Sequence, residues 1–470
     1  MTSKKASGNY SKVQSLIEKG HLHEASRILS SMLSKQPDLK LKDLLKHQEE
    51  TYKYLIHYFI EGYADNSRDK MLDDIKATLN FINDSILRNE ILIDSSDIYS
   101  STLRFERVRK ASMLSRLNEY KDAHSMASLA KEAGGDLDTI KIEDEALMAL
   151  FSYVWTMYGS SQEDYALLVD AVKDPNLPFE FKAQVISALM LGNLAYYDRK
   201  GMNALLDILE ADISQNISAR ALVAIVLIMA AHKNRVTLDS AIRARMSLWK
   251  DSIVLYRELR EVVMTLIRAH DTQRISSKMQ NEVLPELMKL RPEILKRLGK
   301  ISEGADLEAL EANPEWEDIM HKNGLGDKLK ELTDMQMDGG DVMMLAFSNL
   351  KSFPFFNFTP NWFLPFSTTH HDVAAVAGQT GDLFSEILES EGVMCDSDKY
   401  SFIFSLATMP ESQRQMVNSQ MSAQLSQLKE ALADRKLKSS LPEFDQETTR
   451  FVRDLYRFFK LFRRKEDFND

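Results

Sequence analysis

Tyr165-Ala166-Leu167-Leu168 is followed 38 residues later by Asn203-Ala204-Leu205-Leu206. The flanking apolar positions keep that offset. Leu147 aligns with Val185 and Val223, Phe151 with Leu189 and Leu227, and Val154 with Gly192 and Ala230, while Ala183 matches Ala221. A period of this length accommodates a pair of helices, and repeated helix pairs stack side by side. The segments Lys173-Asp-Pro-Asn-Leu-Pro178 and Tyr197-Asp-Arg-Lys-Gly201 supply breakers between the blocks. The nearly wholly apolar run Ala219–Ala231 is expected in the middle of the stack, buried on most sides.

The totals agree with a helical chain. Its 470 residues include only 17 glycines and 11 prolines, which favours an all-α fold of two or three domains. A net charge of −11 disfavours broad binding to nucleic acid or to an anionic membrane, since both require a positive field. One cysteine, Cys395, excludes an internal disulfide and a cysteine-based zinc site and suits a reducing compartment. Lys4 and Lys5 are followed by polar sequence rather than an apolar signal core, and no 18-residue apolar stretch exists. A cytoplasmic location is expected.

Residues 10–37 read as two short helices around Gly20. The order Gly20-His21-Leu22-His23-Glu24-Ala25, with Pro37 closing the unit, resembles the second half of a tetratricopeptide (TPR) repeat, although Val13 stands where a small residue is usual. The same grammar returns over 107–135, with Ala111, Leu114, Tyr120, Ala123, Ala127 and Ala130 at TPR spacing. There Asn118–Ala123 is expected to be the turn and Gly134-Gly135 the stop. Long helices are expected over 40–64 and 67–92, the first striped by Leu41, Leu44, Leu45, Tyr52, Leu55, Ile56 and Phe59. Further helices are expected over 251–298. The acidic stretch 301–313 reads as a linker or hinge, dividing irregular TPR/HEAT-like repeats over 1–300 from a compact helical domain over 314–470. That domain is expected to carry helices near 326–337, 341–351, 372–377, 380–391, 397–408, 411–435 and 445–464.

The segment 352–366 crosses this second region. Phe353, Phe355, Phe356, Phe358, Trp362, Phe363 and Phe366 are punctuated by Pro354, Pro360 and Pro365. Prolines so close together oppose a continuous helix, so the segment reads as an extended strap. Its aromatic content requires an apolar bed, which favours an internal clamp over an exposed groove for a partner peptide.

Three blocks are similar to large bacterial proteins that carry TPR repeats. They are Asp341–Phe356 with Asn361-Trp362-Phe363-Leu-Pro-Phe366, Ser397-Asp398-Lys399-Tyr400-Ser401-Phe402, and Arg453-Asp454-Leu455-Tyr456-Arg457-Phe458-Phe459-Lys460-Leu461. The resemblance covers roughly the last third of the chain. It implies helical repeats continuing beyond Asp470, and it carries no activity and therefore no catalytic residues.

Candidate sites are sparse. In His370-His371-Asp372 adjacent side chains are expected to diverge, and Asp372 reads as the N-cap of a helix starting at Val373 rather than as part of a metal site. His21 and His23 read as solvated turn residues, and Cys395, beside Asp396, as an inert thiol. No phosphate loop, acid/base dyad, cofactor site or metal site stands out. Over 450–465, Phe451, Leu455, Phe458, Phe459 and Phe462 form a stripe beside basic residues. Phe451, Arg453, Arg457, Lys460 and Arg464 are therefore weak partner-binding candidates, with a packed repeat helix as the simpler reading.

The expected function is a non-enzymatic protein–protein interaction scaffold whose partners are proteins or peptides. The alternatives are an enzyme or effector with a site hidden in 314–470, for which a pocket near His370 or His371 would speak, and nucleic-acid or membrane-surface binding through the basic helix.

Overall fold

The scarcity of backbone breakers shapes the whole molecule: every regular element among the described residues is helical. The structure is a computed structural model that describes residues 8–35, 38–63, 65–133, 137–278, 280–281, 341, 344–380, 394–411 and 442–468.

Helices α1 (Gly8–Glu18) and α2 (Leu22–Lys35) turn at Gly20, whose φ of 79° suits a residue without a β-carbon. They pack with α3 (Leu39–Ile60) and α4 (Arg68–Asp94) around Val13, Ile17, Ala25, Leu29, Leu79 and Ile82. The expected stripe of α3 is only half used. Leu41, Leu45 and Leu55 are buried, whereas Ile56 and Phe59 are exposed.

The second expected TPR turn is absent. After α5 (Ile98–Arg109) the chain reverses at Lys110, which adopts a left-handed φ of 51°. Then α6 (Met113–Glu132) runs unbroken through Asn118–Ala123. Ser112 caps α6 by accepting from the Ser115 amide, and no glycine or proline lies within the helix to stop it. The expected stop at Gly134-Gly135 lies outside the described residues, as does Pro37.

The 38-residue offset is realised in packing. Helices α7 (Leu137–Thr156), α9 (Phe179–Ala195) and α11 (Gln215–Ala231) lie side by side in chain order. Helices α8 (Gln162–Lys173) and α10 (Arg199–Glu210) form a second row with α6. Leu147, Val185 and Val223 are all buried, and α11 sits at the centre of the stack as its composition demands. At the third aligned position Gly192 permits unusually close approach: a β-carbon there would lie 2.8 Å from the Trp155 carbonyl oxygen.

Beyond α12 (Lys233–Leu238) and α13 (Ser240–Ser247), α14 (Ile253–Lys278) packs on α11. The described C-terminal elements are α15 (Met344–Ser348), the strap, α16 (His371–Thr380), α17 (Asp396–Thr408) and α18 (Glu443–Leu461). The expected linker over 301–313 and the expected helices over 326–337 and 411–435 lie outside the described residues, as does most of 380–391. On either side of that linker the described parts do not form separate cores, because α18 packs on α11 and α14, and α16 packs on α7. The break between hydrophobic clusters falls instead within α4, with Ile86 in the first and Leu87 in the second.

The strap is a clamp, but it is not extended. It folds as consecutive single 3₁₀ turns, Asn349–Ser352, Pro354–Asn357 and Thr359–Trp362. Proline stands in the first positions of the last two, where its missing donor costs nothing. Phe363 stacks on Phe151 of α7, Trp362 meets Phe458 of α18, and Phe355 lies 4.5 Å from the ring of Tyr400 of α17. Phe358 departs from the expectation, with 53% of its surface exposed.

Replacing Gly192 by alanine is expected to push α7 and α9 apart and to lower stability by about 1–3 kcal/mol, the range for overpacking a tight interior. Urea denaturation of the purified variant checks this.

Candidate functional site

The weak partner-binding candidates occupy α18 and its exit, and burial removes two of them. Phe451 is 0% and Arg457 1% exposed. The apolar stripe of α18 is consumed by α11, α14 and the strap, so the helix has no free amphipathic face. Arg453 is half-buried, while Lys460 and Arg464 are exposed, and Arg464 donates to the Ser96 carbonyl at 2.6 Å.

Arg457 instead anchors a buried ionic cluster. It donates to Asp341 at 2.5 Å and pairs with Asp398 at 2.6 Å. Lys351 also meets Asp398, at 2.9 Å, and donates to Ser397 and Ser401. Burial lowers the Lys351 pKa even though Asp398 opposes it. Burial would raise the Asp398 pKa, but Arg457 and Lys351 hold it below the ordinary carboxylate value. Asp454 accepts the amides of Asp396 and Ser397 at 3.1 and 2.9 Å, capping α17. Its pKa is pushed up to about 6, chiefly by burial and secondarily by Asp396. The sequence blocks around Asp341, Ser397 and Arg453 thus converge in one buried network. Cys395 is 1% exposed, and burial rather than Asp396 drives its thiol pKa up, so it is inert.

A different cluster combines buried nitrogen and carboxylate donors with a cavity. Helix α16 begins at His371, not Val373, and its first amides are met by another helix and by His370 Nδ1 rather than by Asp372. Asp144 of α7 accepts the His371 amide at 2.9 Å and contacts His371 Nδ1 at 2.7 Å. His370 is 4% exposed, with Nε2 3.7 Å from the same Asp144 oxygen. The two imidazoles do not diverge: their centroids lie 4.6 Å apart, with planes tilted by 31°. Asp372 falls inside the first turn, 3.4 Å from His371 Nε2. Burial lowers the His370 pKa, whereas the Asp144 hydrogen bond raises that of His371.

Two hollows adjoin this cluster. A polar cavity of about 130 Å³ is lined by Tyr120, His124, Glu143, Asp144, Glu180 and His370, among others. An apolar pocket of about 630 Å³ is walled by Met148, Phe353, Phe355, Phe358, Phe404, His371 and others. Sequence reading missed Asp144 because it lies 227 residues from its histidine partner. His21 and His23 are both exposed, His21 in the turn but His23 within the first turn of α2.

These features define an all-α protein with helix pairs in two rows and a histidine–carboxylate cluster between two hollows. No protein family, curated protein or solved structure matches the chain. Among the described residues, no helix is long and apolar enough to cross a membrane.

Arg457→Ala leaves Asp341 and Asp398 short of a buried partner, and a loss of about 3–5 kcal/mol is expected by urea denaturation. A second test concerns pH. Asp454 protonates near 6 in the folded chain but near 3.8 when exposed, so the folded state binds more protons between those values. Its contribution to stability therefore grows as pH falls through that window and is lost as pH rises. Asp454→Asn, which keeps an oxygen for both amides, is expected to reduce the acid-side gain in the urea midpoint relative to wild type.

Proposed function

We propose that this chain is a non-enzymatic protein–protein interaction scaffold built on TPR/HEAT-like helical repeats and working in the cytoplasm. The observation that carries the reading is the exposed second half of α3. There, and at Tyr63 just past the turn that follows, large side chains are bare: Tyr54, Ile56, Tyr58, Phe59, Ile60 and Tyr63 stand 65%, 40%, 52%, 61%, 76% and 62% exposed. Large apolar side chains clustered in this way are costly in water and mark a docking ridge. Arg68 lies 4.6 Å over the Phe59 ring and gives the ridge a cationic edge. A ridge of this kind suits the apolar face of a partner's amphipathic helix, with acidic residues meeting Arg68.

A photo-crosslinking amino acid at Tyr58, introduced into the chain in its native host, is expected to yield one defined adduct. Phe59→Glu combined with Ile60→Lys is expected to weaken that partner's affinity at least about tenfold, equivalent to 1.4 kcal/mol. Absence of a defined adduct, or undiminished affinity in the variant, would overturn the scaffold reading.

The apolar pocket beside His371 favours a second reading, in which the region 314–470 holds a small ligand and supports an enzyme or effector. Its volume of about 630 Å³ and its few polar groups fit such a site. Apolar fragments are expected to bind there by ligand-observed NMR, and Ala375→Trp, which fills the hollow, is expected to abolish that binding.

A further inference from the structure

The cap made by Asp144 explains how α16 docks on α7. The second histidine is buried: its ring is tilted by 31° to the first, its Nδ1 accepts the Asp372 amide, and its Nε2 is turned toward the same carboxylate oxygen. One ligand atom from each of Asp144, His370 and His371 lies within 4.8 Å of the other two. Tetrahedral bonds of about 2.0–2.1 Å place neighbouring ligand atoms roughly 3.4 Å apart. The observed separations from Asp144 Oδ2 are 2.7 Å to His371 Nδ1 and 3.7 Å to His370 Nε2, on either side of that value. We propose that Asp144, His370 and His371 bind one divalent transition-metal ion.

The donor set selects the class of ion. Two imidazoles and one carboxylate suit zinc, iron(II) and related first-row ions, whereas calcium and magnesium require mostly oxygen donors. Asp372 supplies the outer support such sites use. Its oxygens lie 3.4 Å from His371 Nε2 and 3.9 Å from His370 Nδ1, the nitrogens left over after ligation. Ligation through His371 Nδ1 displaces the proton shared with Asp144 and leaves the neutral ring protonated on Nε2, and ligation through His370 Nε2 likewise moves that ring's proton to Nδ1. That nitrogen then exchanges its present contact, the Asp372 amide at 3.2 Å, for the Asp372 carboxylate. Three protein ligands leave a coordination position for water, and the adjoining polar cavity of about 130 Å³ has room for it. Glu143, Glu180 and Asp372 add negative charge around the triad, offsetting the positive end of α16 and Lys131.

The triad borders the pocket of the second reading through His371, but the proposal rests on neither that reading nor the scaffold. The full-length chain, stripped with chelator, is titrated with Zn²⁺ against a chromophoric chelator and with Co²⁺ by visible absorption. One equivalent per chain is expected. His370→Gln and His371→Gln are each expected to weaken binding by more than the roughly 10–100-fold that disturbing an outer partner costs. His124→Gln, which alters the cavity but not the triad, retains the equivalent. Anomalous diffraction from zinc-soaked wild-type crystals locates the ion without relying on any variant. No equivalent bound, a density peak away from the triad, or unchanged affinity in both triad variants overturns the proposal. Because the readout is the metal itself, its failure leaves the small-ligand reading to be judged by the fragment experiment.

Discussion

Arg220 holds the structure together at the point where its parts meet. It lies in α11, the most apolar helix, and is 0% exposed. Its guanidinium donates to Glu447 of α18 at 2.5 Å, to the Phe363 carbonyl of the strap at 2.9 Å and to Asp396 of α17 at 3.2 Å. The ring of Phe451 lies 4.6 Å from its carbon centre. A cation taken this far from water costs several kcal/mol unless its donors are met, and the rigid fork of arginine can meet partners in several directions. The geometry therefore fixes strap, α17 and α18 relative to the stack all at once. Hydrophobic burial alone, being non-directional, would leave their register looser.

The strap repeats this logic with neutral groups. Its short turns leave carbonyls that no helix ladder satisfies, and buried carbonyls need partners. Gln184 donates to Pro360, Tyr400 to Pro365, Asn361 to Phe355 and Trp362 to Phe356, all at 2.8–2.9 Å. Helices before and after the strap in sequence thus supply donors to it, and the aromatic rings close the remaining space.

Much of this was legible because helices advertise themselves locally. The 38-residue offset located α7, α9 and α11, and Gly20 located the first reversal. Aromatic density in 352–366 announced an interior clamp, though not its 3₁₀ form, since proline at the start of a turn and proline in an extended run look alike in sequence. Spacing alone misplaced a turn at Asn118–Ala123, where uninterrupted helix formers prevail. Charge pattern alone put Arg457 on a surface, because sequence does not show that Asp341 and Asp398 wait inside to receive it. The histidine cluster was half visible: His370-His371 stood out, but their carboxylate comes from a helix two hundred positions away, and only packing delivers it.

Helix α4 has its own consequence for how the molecule comes apart. Its 27 residues begin in one hydrophobic cluster and end in the other, so a single rod belongs to both. Near the crossing, Asp84 is clasped by Arg235 at 2.5 Å and by the hydroxyls of Tyr10 and Tyr158 at 2.8 and 3.1 Å. Peeling away the amino-terminal helices would have to snap that rod's ladder or unclasp a shielded ion pair. Sharing that rod and its clasp ties the opening of one cluster to the integrity of the other.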